Sequence, residues 1–83
     1  MDEIEDWRKK IDDLDLKLVK LLNRRSRCAI EIGKIKHELN MEVYDPKRER
    51  EVIRNVKNAT NGPLTKQAVT RLFERIIDES RRA

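Results

Sequence analysis

The sequence predicts an all-α protein, and three observations support this fold class. Apolar residues recur at intervals of three and four over most of the chain, which is the spacing of a helix face. Both prolines fall at two breaks, Asp45-Pro46 and Asn61-Gly62-Pro63, where helices are expected to begin or end. No stretch shows the strict alternation of apolar and polar residues that marks a half-buried strand. We therefore expect one domain, residues 1–83, with three helices over residues 3–39, 46–59 and 64–82.

The first helix carries a row of mostly apolar residues, which we call the seam. Its members are separated by alternating steps of three and four: Ile4, Trp7, Ile11, Leu14, Leu18, Leu21, Arg25, Cys28, Ile32, Ile35 and Leu39. Such a row, sustained over five heptads, is typical of a long helix that packs against another helix. Within it, we interpret Cys28 as a small core residue.

The seam predicts a helix that is too long for a compact chain of this size. Residues 4–39 extend over about 54 Å as a helix, whereas a compact protein of 83 residues is about 30 Å across. The part of the helix that extends beyond a compact domain is most simply covered by a second copy of the chain. A pair related by two-fold symmetry, with the helices antiparallel, is the commonest arrangement. Self-association would also supplement the thin core of a chain whose single cysteine excludes an internal disulfide.

The second helix opens on a recognisable start signal, with Asp45 as its N-cap and Pro46 as its first residue. Its apolar face consists of Val52, Ile53, Val56 and Ala59. One turn earlier, the same face reaches Glu49, with Arg48 at its edge. The sequence therefore predicts a carboxylate directed towards the interior.

The third helix also presents one apolar face. Its members are Val69, Leu72, Phe73, Ile76 and Ile77. The next position on this face is Ser80, close to the last residue of the sequence. We therefore expect a hydroxyl group to face inward beside the apolar residues.

Arg25 occupies a seam position where an apolar residue is expected. Burying an unpaired guanidinium costs several kcal/mol, so this side chain needs an anionic partner. Two explanations remain open at this point. Either Arg25 specifies the register by pairing with a carboxylate such as Glu31 or Asp15 of a partner chain, or it binds an anionic ligand.

Further cations lie beside the seam. Arg8 and Lys36 each directly follow a seam residue, on one flank of the helix. An antiparallel pair brings Arg8 of the partner subunit towards the segment from Arg25 to Lys36. Glu49 and Ser80 face inward from the other two helices. Cations, a carboxylate and a hydroxyl thus converge, which is typical of a pocket for a small polyanion.

The overall charge balance favours anionic partners. The chain has 20 Lys and Arg against 16 Asp and Glu, with the signs interspersed. The arginine clusters at 24–27 and 81–82 lack interleaved aromatic residues, so we expect solvated helix faces rather than nucleic-acid contacts. No apolar run is long enough to cross a membrane, and Asp2 and Glu3 follow Met1 where a signal peptide would be basic. We expect a cytoplasmic protein.

Short fragments along the chain also follow one another in a specific order and spacing. They are Trp7–Asp12, Leu21–Leu22 followed by Arg25, Ile32–Lys36, Val43–Glu49, Leu72–Phe73 and Ile76–Ser80. Together, over about residues 7–81, they resemble the all-helical chorismate mutases, the AroQ class. The resemblance implies an intertwined homodimer of three-helix chains with two equivalent sites for chorismate, a dianion.

The resemblance also implies a set of site residues. The substrate-binding residues would be Arg8, Arg25, Lys36, Asp45, Arg48, Glu49 and Ser80, with Ile32, Val52 and Ile77 as apolar walls. Among these, Lys36, Arg25 and Glu49 would be catalytic. Arg25 and Arg8 of the partner subunit would bind the two carboxylates of chorismate, and Ser80 would meet the ring carboxylate. Lys36 would lie near the ether oxygen and a carboxylate.

The remaining implied contacts surround the ring hydroxyl. Asp45 and Glu49 would hold this hydroxyl, and Arg48 would support the substrate-binding region. The implied reaction, chorismate to prephenate, is an intramolecular rearrangement that needs no nucleophile, metal or cofactor. The lack of a nucleophile agrees with the sequence around His37, where no serine, cysteine or carboxylate is placed to make it a catalytic base. We expect His37 at the surface. One histidine and one cysteine are also too few for a four-ligand zinc site.

One departure from the family concerns the end of the sequence. The family usually carries a glutamine or glutamate four residues after Ser80, and the sequence ends at Ala83, one residue short of that position. Either the sequence is part of a longer chain or the protein lacks this group, and we expect reduced activity with the pocket otherwise present. A short tail that supplies the glutamine is expected to raise the turnover rate.

Three other functions fit parts of the pattern. Isochorismate-pyruvate lyase shares the fold and much of the cationic pocket, although the segment with Asp45, Arg48 and Glu49 favours the mutase. A weakly active regulatory module, fused to another shikimate-pathway enzyme, is the second. A helical interaction protein or nucleic-acid binder is the third, and it leaves the inward-facing Glu49 without a purpose.

Overall fold

The structure, a computed structural model, describes residues 2–83 and consists of three helices. They are α1 (Glu3–Glu38), α2 (Pro46–Ala59) and α3 (Lys66–Arg82), and the described residues form no strand. The all-α class is confirmed. The predicted start of the third helix at residue 64 is wrong by two residues, because the Thr65 side chain accepts a hydrogen bond from the Ala68 amide and caps α3 there.

Helix α1 has well-defined signals at both ends. The Asp2 side chain accepts a hydrogen bond from the Ile4 amide and caps the first turn. At the other end Asn40 adopts a left-handed conformation, with φ of 56°. Its amide donates to the His37 carbonyl at 3.2 Å, and the Met41 amide donates to the Lys36 carbonyl at 2.8 Å. This pair of bonds is the Schellman motif, and it turns the chain back immediately after Lys36.

Helix α2 begins as predicted. The Asp45 carboxylate accepts a hydrogen bond from the Arg48 amide at 3.1 Å, and Pro46 occupies the first turn. Because α1 ends at Glu38 and α2 begins at Pro46, a short connection places this cap close to the last turn of α1. The two helix ends therefore meet at one place.

Helix α3 packs against both of the other helices. Val69 and Ile77 are its most buried apolar side chains, each 9% exposed. On α1, the half-buried residues form one face that differs from most of the seam: Arg25, Ser26, Ala29, Gly33 and Lys36. Arg25 and Ser26 of this face contact Ser80 of α3, and the spacing of large apolar residues did not reveal this face.

The seam is consequently left uncovered in a single chain. Each of its large apolar residues is at least 54% exposed: Ile4, Trp7, Ile11, Leu14, Leu18, Leu21, Ile32, Ile35 and Leu39. The molecule measures 59 × 23 × 16 Å, so the predicted overhang of the first helix is confirmed. Fully burying one such side chain stabilises a protein by about 1.5–3 kcal/mol, and nine of them remain exposed here.

None of the helices within residues 2–83 has the length and apolar character needed to cross a membrane.

Replacing Thr65 by alanine is expected to lower the free energy of unfolding by about 1 kcal/mol, because the Ala68 amide loses its capping partner. Urea unfolding at one fixed protein concentration measures this loss. Thr65→Ser keeps the hydroxyl and should retain most of the stability. Equal losses in the two variants would show that the threonine methyl group, and not the cap, is responsible.

Candidate active site

A cavity of about 700 Å³ lies where the three helices and the connection between α1 and α2 come together. We call it the site cavity. It is lined by nine of the ten residues predicted to bind substrate: Arg25, Ile32, Lys36, Asp45, Arg48, Glu49, Val52, Ile77 and Ser80. The structure thus brings residues that are up to 55 positions apart, such as Arg25 and Ser80, into one place.

Arg25 and Ser80 contact each other directly within the site cavity. The Arg25 guanidinium donates a hydrogen bond from Nη1 to Ser80 Oγ at 3.2 Å. Ser80 is buried, and its hydroxyl donates to the Ile76 carbonyl at 2.9 Å. Glu31 pairs with Lys34 of the same chain at 3.2 Å. Within residues 2–83, no carboxylate pairs with Arg25, so its charge can serve an anionic ligand.

Lys36 is held at the meeting point of α1 and α2. Its side chain is 18% exposed, with Nζ 3.9 Å from Asp45 Oδ2 and 3.5 Å from the Val43 carbonyl oxygen. The other carboxylate oxygen of Asp45 caps α2. The Schellman turn fixes one end of the connection between α1 and α2, and the α2 cap fixes the other end. The Lys36 ammonium group lies across this connection.

Arg48 and Glu49 line the site cavity from α2, and they have different partners. The Arg48 guanidinium donates to Glu51 on the same helix at 2.9 Å and is largely exposed. Glu49 is half-buried, and its Oε1 accepts a hydrogen bond from Arg81 Nη2 at 3.4 Å. Glu49 thus faces inward as predicted, whereas the Arg48 side chain is engaged with a neighbour on its own helix.

Several residues around the cavity escaped the sequence prediction. Arg81 lines it, although the pair at 81–82 was expected to be a solvated cluster. Ser26 Oγ lies 3.5 Å from Ser80 Oγ. The interpretation of Cys28 as a core residue is wrong for the single chain, because Cys28 is exposed and lines the cavity. Its side chain lies outside the half-buried face of α1. His37 is exposed as expected, and it too lines the cavity.

Arg8 is the predicted site residue that lies outside the site cavity. Its guanidinium is exposed and pairs with Glu5 at 2.6 Å. It lies on the same helix as Arg25, seventeen residues earlier, which corresponds to about 26 Å along the axis. Arg8 of this chain therefore cannot reach the ligand space beside Arg25.

The charges that line the cavity are predominantly positive. Five cationic side chains, Arg25, Lys34, Lys36, Arg48 and Arg81, face two carboxylates, Asp45 and Glu49. Cationic side chains around partly apolar walls suit a small anion that also carries hydroxyl groups. Within the described part of the chain, the His, Cys, Asp and Glu side chains form no group of three that could hold a metal ion.

The sequence as a whole also matches a known family. The family model for chorismate mutase type II matches residues 7–83. The chain belongs to the chorismate mutase type II family. The resemblance of its fragments to the all-helical chorismate mutases is thereby confirmed.

Individual relatives support the same assignment. The bifunctional chorismate mutase/prephenate dehydratase of Aquifex aeolicus is 33% identical over 81 residues, covering 93% of this chain and 22% of that protein. The protein of the same name from Neisseria gonorrhoeae is 38% identical over 72 residues, covering 87% of this chain and 19% of that protein. The chain thus spans about a fifth of the length of these curated relatives.

A solved structure matches over its whole length. Chorismate mutase from Thermus thermophilus has a TM-score of 0.93 and 33% sequence identity, covering 95% of this chain and 99% of that chain. At this identity the similarity extends beyond the fold to the family. The long first helix and the two shorter helices are therefore the architecture of a chorismate mutase type II chain.

Proposed function

We propose that this chain catalyses the rearrangement of chorismate to prephenate, a step in the biosynthesis of phenylalanine and tyrosine. The observation that carries the proposal is the site cavity, because it gathers cations, carboxylates and a hydroxyl from three helices around apolar walls. A dianionic substrate with a ring hydroxyl has a complementary group for each of them. The cytoplasm is the proposed compartment, since the matching relatives are named as chorismate mutase/prephenate dehydratase enzymes.

The cationic side chains are proposed to bind the carboxylates of the substrate. Arg25 takes one carboxylate and is oriented by its hydrogen bond to Ser80. Ser80 turns its single hydroxyl hydrogen from the Ile76 carbonyl to the ring carboxylate. Lys36 approaches the ether oxygen and also a carboxylate of the substrate. Asp45 and Glu49 are proposed to hold the ring hydroxyl, whose single hydrogen is donated to the Glu49 carboxylate.

The proposed reaction breaks one C–O bond while one C–C bond forms within the same molecule. The first contribution of the protein is to hold the flexible enolpyruvyl side chain over the ring, between walls such as Ile32, Val52 and Ile77. The second is fixed positive charge at the ether oxygen, which gains electron density as its bond breaks. Both contributions come from orientation and electrostatics, so no group needs to become covalently attached.

We further propose that the active form is a homodimer that pairs the seam antiparallel with its copy. The nine exposed apolar residues of the seam support this pairing. Aligning the seam antiparallel about its midpoint places Arg8 of the partner subunit level with about residue 35 of the first chain. An arginine would then enter the site cavity beside Lys36, where Arg8 of the same chain cannot reach.

The experiment that tests the proposal follows the loss of chorismate by absorbance and identifies prephenate as the product. Arg25→Ala is expected to lower kcat/KM by about two orders of magnitude, because a carboxylate loses a charged hydrogen-bond donor. Arg71→Ala is the matched control, since Arg71 is exposed on α3 and does not line the site cavity. Equal rates for wild type and Arg25→Ala would contradict the proposal. Release of pyruvate and salicylate from isochorismate, without chorismate turnover, would assign the lyase activity instead.

A further inference from the structure

Arg81 contacts three parts of the chain beside the site cavity: its own helix, α2, and the connection between α1 and α2. It lies in the last turn of α3, and its Nη2 donates to Asp78 of the same helix at 2.7 Å. The same nitrogen lies 3.4 Å from Oε1 of Glu49 on α2. The guanidinium also lies over the ring of Tyr44, 5.4 Å from its centroid, in the connection between α1 and α2. One side chain therefore contacts a carboxylate on each of two helices and an aromatic ring.

We propose that Arg81 is a positioning residue, which orients Glu49 for the substrate hydroxyl. This inference rests on the function proposed above. Glu49 is 30% exposed at its side chain and Arg81 is 40% exposed, and both line the site cavity. Because Nη2 of Arg81 donates to both Asp78 and Glu49, we infer that Arg81 acts on the ligand through Glu49.

The charge of Arg81 matters as much as its geometry. Glu49 is a carboxylate in a site that receives a dianion, and the two negative groups repel each other. The Arg81 guanidinium offsets this repulsion from the side of Glu49 that faces away from the ligand space. The Glu49 carboxylate still faces the cavity. Asp78 keeps Arg81 directed towards that wall, because its hydrogen bond is the shorter of the two.

Arginine suits this place better than lysine would. The planar guanidinium lies over the aromatic face, and its Nη2 directs one hydrogen to each of the two carboxylates. An ammonium group in the same position would lose the stacking on Tyr44 and hold the two carboxylates less rigidly. The conservative variant Arg81→Lys is therefore expected to restore part of what Arg81→Met loses.

The test is a double-mutant cycle between Arg81 and Glu49, read as kcat/KM for chorismate. Arg81→Met in the wild-type background is expected to lower kcat/KM about fivefold, the upper range for a partly exposed ion pair. In the Glu49→Gln background, Arg81→Met is expected to lower kcat/KM little further, because the Glu49 carboxylate on which Arg81 acts is already replaced. Arg82→Met is the matched control, since Arg82 pairs with Glu79 at 3.2 Å and is 69% exposed.

The outcomes separate this inference from the proposed function. If the wild type converts chorismate and Arg81→Met loses the same factor with and without Glu49→Gln, Arg81 does not act through Glu49 and the inference is overturned. If Arg81→Lys shows no recovery relative to Arg81→Met, the positioning role also fails. If the wild type leaves chorismate unchanged, the proposed function and this inference are both wrong. Prephenate inhibition, measured on the same four proteins, should repeat the non-additive pattern.

Discussion

A Lys36→Met variant is expected to remain folded while its kcat falls by about two to three orders of magnitude. The Lys36 ammonium is the cation held at the meeting point of α1 and α2, and its side chain is only 18% exposed. Removing a fixed charge at an atom that becomes negative in the transition state has an effect of this size. Methionine keeps an unbranched apolar stem of similar reach, so the loss is chiefly one of charge.

The fold should tolerate this substitution. Asp45 loses a contact at 3.9 Å, and its other oxygen continues to cap α2 through the Arg48 amide. The Schellman turn at the end of α1 uses the backbone carbonyl of Lys36, not its side chain. Circular dichroism and the urea midpoint should therefore stay close to those of the wild type.

The control for Lys36→Met is Lys66→Met. Lys66 carries the same charge in the first turn of α3 and lies about 21 Å along that helix from Ser80. Its removal should leave kcat unchanged. A Lys36→Met protein that retains a third or more of the wild-type kcat would rule out Lys36 as the donor to the ether oxygen.

The fold could be predicted largely from local patterns. The seam, the proline at residue 46 and the capping aspartate before it are short-range signals, and the structure places α1 and α2 close to the predicted ranges. The predicted start of α3 is wrong because the predicted range began directly after the break at Asn61-Gly62-Pro63. The Thr65 hydroxyl, a recognisable cap, decides the boundary instead.

The candidate site was predicted less completely, since its parts come from contacts between helices. Glu49 and Ser80 lie on apolar faces, and their inward direction therefore follows from helical spacing. Arg81 and Arg82 are adjacent arginines in the sequence. Arg81 lines the cavity because Tyr44 and Glu49 lie beside it in the folded chain. Arg81 lies four residues after Ile77, so helical spacing extends the apolar face of α3 to Arg81 and not to Arg82. The contacts of Arg81 with Glu49 and Tyr44 follow only from the packing of α3 against α2.

Mixing two inactive variants is expected to restore activity if the proposed dimer is correct. Arg8→Ala and Arg25→Ala should each lose most of the wild-type kcat/KM, since each removes one carboxylate-binding cation from every site. In a mixed dimer, Arg25 of one chain meets Arg8 of the other in one intact site, and the second site carries both substitutions. Random exchange of subunits should therefore recover about a quarter of the wild-type activity.

The matched control mixes Arg25→Ala with Lys36→Met. Arg25 and Lys36 line the same site cavity of one chain, so every site in such a mixed dimer lacks one of the two. No activity should return. Recovery in the first mixture alone requires that Arg8 act across the interface, as the distance of about 26 Å along α1 demands. Absence of recovery after verified subunit exchange, or equal recovery in both mixtures, would contradict the antiparallel pairing of the seam.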